Sequence, residues 1–124
     1  YECKYSVFKR LFWLERRAVA RSGESVYLCL LSIEWPDGRK MKADVLGRAA
    51  ERMKMVIQGS LRASDIFSRY SVCQYVVLIP AATYENCEAV MERITRAFNK
   101  GYVRKDVAAV SRITAVFPAD RECF

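Results

Sequence analysis

The chain contains no histidine, and its 124 residues include only five glycines and three prolines. No C-x-x-C pair occurs among the cysteines, which are Cys3, Cys29, Cys73, Cys87 and Cys123. Without histidine or paired cysteines we expect no zinc site, and without a histidine base we expect no catalytic thiol. Cys29 and Cys87 lie in apolar stretches, which predicts reduced thiols in the core. Cys73 is the cysteine to test for reactivity.

Long apolar runs are also missing. No run approaches the roughly 20 residues that a bilayer-spanning helix needs, and the first residues lack the segments of a signal peptide. An apolar content of 52% nevertheless favours a globular domain with a real core. We therefore expect a single cytoplasmic domain over residues 1–124, with no membrane partner. Its start at Tyr1, without an initiator methionine, suggests a fragment of a larger regulatory protein.

Acidic residues are in the minority, 14 against 21 basic ones, which gives a formal charge of +7. Aromatic residues are not interleaved with the basic ones in the way that a stacking surface for nucleic acid requires. Direct nucleic-acid binding by this domain is therefore not expected, whereas an acidic neighbouring domain would suit the same patch. The basic residues of the N-terminal stretch fall on the polar side of one predicted helix: Lys9, Arg10, Arg16, Arg17 and Arg21.

Hydrophobic periodicity predicts helices near residues 7–21, 41–60 and 84–98, and strands near 26–34, 66–70, 74–79 and 107–117. Ser6 and Thr83 are predicted helix caps, Gly23 a helix stop, and Pro118 the end of the last strand. The nearly unbroken apolar run Val26–Glu34 predicts a central strand buried on both faces. The first helix is predicted to dock through Val7, Phe8, Leu11, Phe12, Leu14 and Ala18, with Trp13 beside them. In the second helix, Arg48, Arg52 and Lys54 are predicted to face water.

This order is a helix followed by βαββαβ, the split unit of the ferredoxin-like fold. It predicts an α+β domain with an extra N-terminal helix, a central antiparallel sheet of four strands and two helices on one sheet face. In that topology the start of the strand after the hairpin lies beside the end of the first strand. We therefore expect the Ser71–Cys73 turn to lie over Ser32 and Glu34.

The hairpin carries a resemblance to a known family. Arg69-Tyr70, five further residues and an apolar run ending in Pro80 resemble the signature hairpin of the GGDEF (diguanylate cyclase) family. The resemblance covers residues 17–117 and implies the nucleotide-cyclase palm-like fold. In this chain the five signature positions read Ser71, Val72, Cys73, Gln74 and Tyr75, so both glycines and both acidic residues are absent.

The resemblance also places Ser32, Ile33 and Glu34 on the Asp-x-Asp run whose first aspartate holds a divalent cation in the family. Ala43 occupies the position of the aspartate that contacts guanine, and the connection before it is several residues too short for the other nucleotide contacts. What the resemblance implies is thus a degenerate former active site. Its members are Ser32, Glu34, Ser71, Val72, Cys73 and Gln74.

Catalysis is not expected from these residues. Two-metal phosphoryl transfer needs a pair of carboxylates, and Ser32 and Cys73 supply none. Ser71 and the β-branched Val72 replace glycines that let backbone N–H groups approach phosphate. We predict a non-enzymatic domain with no cofactor, and a residual nucleotide-processing enzyme is the least favoured alternative.

A second family feature persists in Arg62-Ala-Ser-Asp65, which matches the Arg-x-x-Asp motif of the inhibitory cyclic di-GMP site. Arg93 matches a further arginine of that site. Arginine forks suit phosphate and the guanine edge, so the three residues are a possible cyclic di-GMP site. Alternatively, Asp65 caps the turn before the strand, and both arginines are solvated.

The basic aromatic N-terminal helix, the Tyr70–Tyr75 segment and Thr83–Asn86 also resemble the C-terminal module of bacterial transcriptional regulators that carry a bacterial transcriptional activation domain. That resemblance implies a regulatory role, with the DNA contacts made elsewhere. The leading hypothesis is a non-catalytic signalling domain that contacts other domains of the same regulator or a homodimer partner. The alternative is a cyclic di-GMP sensor.

Overall fold

Seven elements are formed by the residues that the computed structural model describes, which are 1–23, 25–36, 40–102 and 106–116. The predicted order of a helix followed by βαββαβ is confirmed, and strand β1 has the predicted bounds. The elements are α1 (Tyr5–Ser22), β1 (Val26–Glu34), α2 (Ala43–Ser60), β2 (Ile66–Ser71), β3 (Gln74–Pro80), α3 (Tyr84–Gly101) and β4 (Ala108–Ala115). Part of the predicted turn at 35–38, the predicted strand end at Phe117 and Pro118, and Cys123 lie outside the described residues.

The four strands form one antiparallel sheet in the order β2-β3-β1-β4. Strand β1 therefore lies in the interior, as its apolar sequence predicts. Its register with β3 pairs Ser32 with Gln74, and its register with β4 pairs Leu30 with Arg112. The α+β class and the four-stranded antiparallel sheet are confirmed.

Helices α2 and α3 cover one face of the sheet, which we call the inner face. The apolar positions of both helices recur every three or four residues, and this spacing places them on one side of each helix. They pack on Cys29, Leu31 and Ile33 of β1. The buried helix residues in this core are Ala49, Ala50, Met53 and Ile57 of α2, and Cys87, Met91, Ile94 and Phe98 of α3.

Helix α1 packs on the opposite, outer face. Phe8 and Val19 are buried there, with Phe12 partly buried, against a sheet surface that includes Val26, Val76 and Leu78. The predicted docking face of α1 is wrong in part, because Val7 is 42% and Leu14 58% exposed. Apolar residues extend around more of this helix than the sheet can cover.

The ends of the helices follow local sequence in two of three predicted cases. Thr83 Oγ1 accepts from the backbone N–H of Asn86, and Gly23 ends α1 with φ 74°, as predicted. Ser6 is not a cap, since α1 begins at Tyr5 with Lys4 in the N-cap position. The Lys4 side chain makes no capping hydrogen bond to this end of the helix.

Two arginines predicted to face water do not. Arg16 is buried and its guanidinium lies 5.1 Å from the ring centroid of Trp13. Arg52 donates to the carbonyl oxygens of Phe98 (3.2 Å) and Ala97 (3.0 Å), which lie near the end of α3. Lys54 is partly buried and forms an ion pair with Glu2, whereas Arg48 is exposed as predicted.

Strand β2 is at one edge of the sheet, and residues 1–3 lie along its free side. Phe67 donates to the carbonyl of Tyr1 at 2.9 Å, and Cys3 donates to the carbonyl of Phe67 at 3.0 Å. These bonds satisfy backbone groups that an edge strand would otherwise expose. None of the helices in the described ranges is long and apolar enough to cross a bilayer.

Candidate functional site

The turn between β2 and β3 is shorter than predicted. Strand β2 continues to Ser71, which pairs with Gln74, so that the turn itself consists of Val72 and Cys73. A register shift between Arg69 and Ser71 marks a bulge in β2. The side chain of Val72 is exposed at the tip of the hairpin.

Arg69 stabilises this turn, a role that the sequence analysis missed. Its Nε donates to the carbonyl of Ser71 at 3.1 Å, and its Nη2 donates to the carbonyl of Val72 at 2.9 Å. A guanidinium presents several donors in a fixed plane, so one side chain can satisfy two consecutive carbonyls. The only sequence signal was an arginine placed three residues before the turn.

The hairpin turn is attached to the end of β1. The backbone N–H of Ile33 donates to the carbonyl of Cys73 at 2.8 Å. This bond continues the β1–β3 pairing by one step beyond Ser32 and Gln74. The structure thus brings the turn beside Ser32, as the topology predicts. Glu34 lies two residues further on, exposed, and pairs with Ala108 of β4.

We call the six predicted residues at this point the hairpin site (Ser32, Glu34, Ser71, Val72, Cys73 and Gln74). Neutral hydrogen bonds join several of them. Ser71 Oγ donates to Gln74 Oε1 at 3.0 Å, and Gln74 Nε2 donates to Ser32 Oγ at 3.2 Å. Ser71 Oγ also accepts from the backbone N–H of Cys73 at 3.3 Å. Four of the six predicted residues are therefore connected.

The family resemblance implies a divalent cation at the position of Ser32. Mg²⁺ and Ca²⁺ prefer carboxylate and carbonyl oxygens, and at least one anionic ligand offsets their charge. The Ser32 hydroxyl is neutral and already accepts from the Gln74 amide. These side chains do not fit a divalent cation. Across the described part of the chain, no group of three or more His, Cys, Asp or Glu is placed to hold a metal ion.

Asp65 belongs to the second predicted site, which we call the arginine site (Arg62, Asp65 and Arg93). Its side chain is buried, with 1% of the residue exposed, and its carboxylate accepts from the backbone N–H of Arg62 at 2.9 Å. The guanidinium of Arg62 pairs with the other carboxylate oxygen at 3.2 Å. Asp65 therefore closes the turn that leads into β2, and its carboxylate is directed at Arg62 and not at solvent.

The two arginines of this site lie around the C-terminal end of α2. Arg93 Nη2 donates to the carbonyl of Ser60 at 2.9 Å, and Arg62 Nη2 donates to the carbonyl of Pro80 at 3.0 Å. The Arg62 side chain is 56% exposed, and Arg93 is also exposed. The structure thus brings the three residues to one region, with two cationic side chains accessible from solvent.

The cysteines differ in their surroundings. Cys29 and Cys87 are fully buried in the inner core, as predicted. Burial, with a smaller contribution from the neighbouring Cys87, raises the pKa of Cys29 to about 12. Burial also raises the pKa of Cys87. Cys73 is half-buried in the turn, with its Sγ 3.8 Å from Ser71 Oγ.

No protein-family profile and no curated protein matches this chain. Solved structures, by contrast, include several with the same fold. The diguanylate cyclase SiaD of Pseudomonas aeruginosa, solved with its activator SiaC, matches with a TM-score of 0.77 at 20% identity. That match covers 94% of this chain but 47% of SiaD, so the chain spans about half the length of that protein.

Two further solved structures have the same fold as this chain. The GGDEF domain of FimX from Pseudomonas aeruginosa matches with a TM-score of 0.78 at 11% identity, over 98% of this chain and 78% of FimX. The GGDEF domain of DgcB from Caulobacter crescentus, solved with c-di-GMP, matches with a TM-score of 0.75 at 11% identity, over 91% of this chain and 72% of that one. The chain has the fold of GGDEF diguanylate cyclase domains.

Proposed function

We propose that the chain is a non-catalytic GGDEF-like signalling domain of a bacterial transcriptional regulator, and that it acts through protein contacts. The observation that carries this proposal is the neutral hydrogen-bond chain from Ser71 through Gln74 to Ser32. It occupies the position where the family resemblance expects metal-binding and signature carboxylates. Phosphoryl transfer depends on charge stabilisation at that position, and neutral hydroxyl and amide groups supply little of it.

The local backbone supports the same proposal. Ser71 and Val72 stand where the family has glycines, and Arg69 fixes the carbonyl groups of both residues. A β-branched residue resists the conformations with positive φ that bring N–H groups close to phosphate. Incubation with GTP and Mg²⁺ or Mn²⁺ tests this part of the proposal, and no cyclic dinucleotide should form.

Protein contacts are the proposed mode of action because apolar side chains are exposed away from the core. Val7 and Leu14 of α1 and Val72 of the turn are all exposed. The structural neighbour SiaD, which contains a domain of this fold, is solved in complex with its activator protein SiaC. The proposed partners are other domains of the same regulator or a homodimer partner.

The transcriptional context comes from the resemblance of the N-terminal helix, the Tyr70–Tyr75 segment and Thr83–Asn86 to regulator modules. The proposed transcriptional context is tested by reading the coding sequence on both sides of residues 1–124. A DNA-binding domain in the same protein supports the proposal. Flanking domains of an unrelated class, such as a metabolic enzyme, contradict it.

A second candidate function is cyclic di-GMP sensing through the arginine site. The observation that favours it is the placement of Arg62 and Arg93 at the same end of α2, both accessible. The neighbouring DgcB domain is solved with c-di-GMP. In this chain the ligand contacts would come from the two guanidinium groups, because Asp65 is buried and paired with Arg62.

A further inference from the structure

The two faces of the sheet are covered unequally by the described residues. Strands lie about 4.8 Å apart and a helix is about 10 Å wide, so a four-stranded face has room for two helices side by side. The inner face carries α2 and α3. On the outer face the described residues supply α1, which contacts β2 and β1.

The outer side of β1 and β4 forms an apolar strip beside α1. Leu28 and Leu30 of β1 are only partly buried, and Val110 of β4 is exposed. The alternation along β4 assigns Val110 to this face, because its neighbour Ala109 belongs to the inner core. A surface of this kind is suited to an apolar partner.

A groove of about 450 Å³ runs between α1 and the sheet, where it is lined by Leu28 of this strip and Val76 of β3. Its α1 side is mainly aromatic and its floor is formed by the sheet. The lining residues are Tyr5, Phe8, Lys9, Phe12, Trp13, Leu28 and Val76.

Positive charge lies in the groove and beside it on the same face of the sheet. Lys9 lies on the α1 side, 5.3 Å from the ring centroid of Tyr5. Arg112 lies beyond the groove lining on β4, and its pairing with Leu30 places it on the same outer face of the sheet. None of the seven lining residues is acidic. The strand positions nearest to Arg112 on that face, Val110 and Thr114, are also uncharged by sequence.

We propose that this groove binds an acidic amphipathic helix of a partner protein. The apolar side of that helix would pack on Leu28, Leu30 and Val76, and its carboxylates would face Lys9 and Arg112. The inference deepens the proposed function and rests on action through protein contacts, but it does not rest on the absence of catalysis. A second copy of α1 is a poor occupant, because that helix has five basic residues and one acidic residue, and two such helices repel each other.

The test uses a synthetic helical peptide of about 18 residues, with leucines on one face and glutamates on the others. A peptide with the same leucines and with lysines in place of the glutamates is the control ligand. Binding is followed by fluorescence anisotropy of the labelled peptide on the full chain. We expect saturable binding of the acidic peptide and at least about tenfold weaker binding of the basic one.

Three charge-reversal variants locate the binding. Lys9→Glu changes the α1 side of the groove and Arg112→Glu changes the neighbouring β4 surface, and each should weaken binding of the acidic peptide by about fivefold or more. Arg17→Glu makes the same charge change on α1 at an exposed position outside the groove lining, and should weaken it by less than about twofold. Circular dichroism checks that each variant is folded. Because Lys9 and Arg112 lie on different elements, either variant alone decides the question if the other fails to fold.

Equal effects of the three variants would show that only general positive charge is measured, and would overturn the inference. It is also overturned if the acidic peptide shows no saturable binding up to about 1 mM. Light scattering that shows a dimer, lost in Leu28→Glu, would assign the groove to a second copy and overturn it as well. Cyclic dinucleotide formation from GTP would instead contradict the proposed function and leave the groove inference standing.

Discussion

The side-chain amide of Gln74 donates a hydrogen bond to the hydroxyl of Ser32 at 3.2 Å, where β3 begins and β1 nears its end. Ser71 donates to the other end of the same amide, so both groups of the Gln74 side chain are used. The backbones of Ser32 and Gln74 are also paired in the sheet. Residues 42 positions apart in the sequence thus meet through uncharged groups at the hairpin site.

Asp65 should matter for stability more than any exposed acidic residue. We expect Asp65→Ala to lower the free energy of unfolding by about 2–3 kcal/mol, because it removes an acceptor for both the backbone and the side chain of Arg62. Urea denaturation measures the change. Glu92→Ala is the matched control, since Glu92 and its partner Arg96 are both exposed on α3. That control should lose no more than about 0.5 kcal/mol, and an equal loss in both variants would contradict the structural role of Asp65.

Cys29 should make stability depend on alkaline pH. Burial raises its pKa from 9.0 to about 12 in the folded chain, so the thiol ionises in the unfolded state first. The stabilisation is fully present below pH 9, and it is lost as the pH rises from 9 towards 12. The loss from this group is at most about 1.4 kcal/mol per pH unit.

The measurement for Cys29 is urea denaturation of the wild type and of Cys29→Ala between pH 7 and 10.5. The two proteins should show parallel pH dependence below pH 8, and the variant should show the shallower decline above pH 9. Buried Cys87 and Tyr75, whose pKa values burial also raises, contribute in both proteins. Parallel curves over the whole range would mean that the Cys29 thiol is not shielded as described.

The sensing proposal predicts saturable binding of cyclic di-GMP in a calorimetric titration. Arg93→Ala should weaken that binding by about tenfold, which corresponds to the loss of one charge-assisted contact. Arg93 is a cleaner probe than Arg62, because the loss of Arg62 also unpairs buried Asp65. Arg48→Ala is the control, since the Arg48 side chain is 76% exposed on α2.

Arg52 is unsuitable as that control, because it binds the carbonyl groups of Ala97 and Phe98 and its removal affects the α2–α3 contact. Equal effects of Arg93→Ala and Arg48→Ala would show that only general charge is measured. An absence of saturable binding at high micromolar concentrations would exclude the sensing proposal.

Local sequence patterns predicted much of the fold. Val26–Glu34 is apolar at nearly every position, and such a run is typical of a strand in the interior of a sheet. The predicted bounds of this strand are confirmed. Thr83 and Gly23 act through neighbouring backbone groups, so local sequence suffices to predict their roles. The meeting of the turn with Ser32 follows from the strand order and the register, and it was predicted from topology.

Other features depend on contacts between distant segments. Arg52 has a flexible stem and multiple donors, and only the folded chain brings the end of α3 within its reach. Val7 and Leu14 share the apolar character of Phe8 and Phe12, so periodicity alone did not separate the docked from the exposed side of α1. Likewise, the motif that suggested a ligand site at Arg62 and Asp65 does not reveal that they bind each other.

The central claim is that the hairpin site does not support cyclase chemistry. The most direct measurement is incubation of the chain at high concentration with GTP and either Mg²⁺ or Mn²⁺, with cyclic dinucleotide detected by mass spectrometry. An active diguanylate cyclase assayed in parallel shows that the conditions permit catalysis. The account predicts no product above a no-protein control. Product that appears with the wild type and is lost when Ser32 and Gln74 are both replaced by alanine would contradict it.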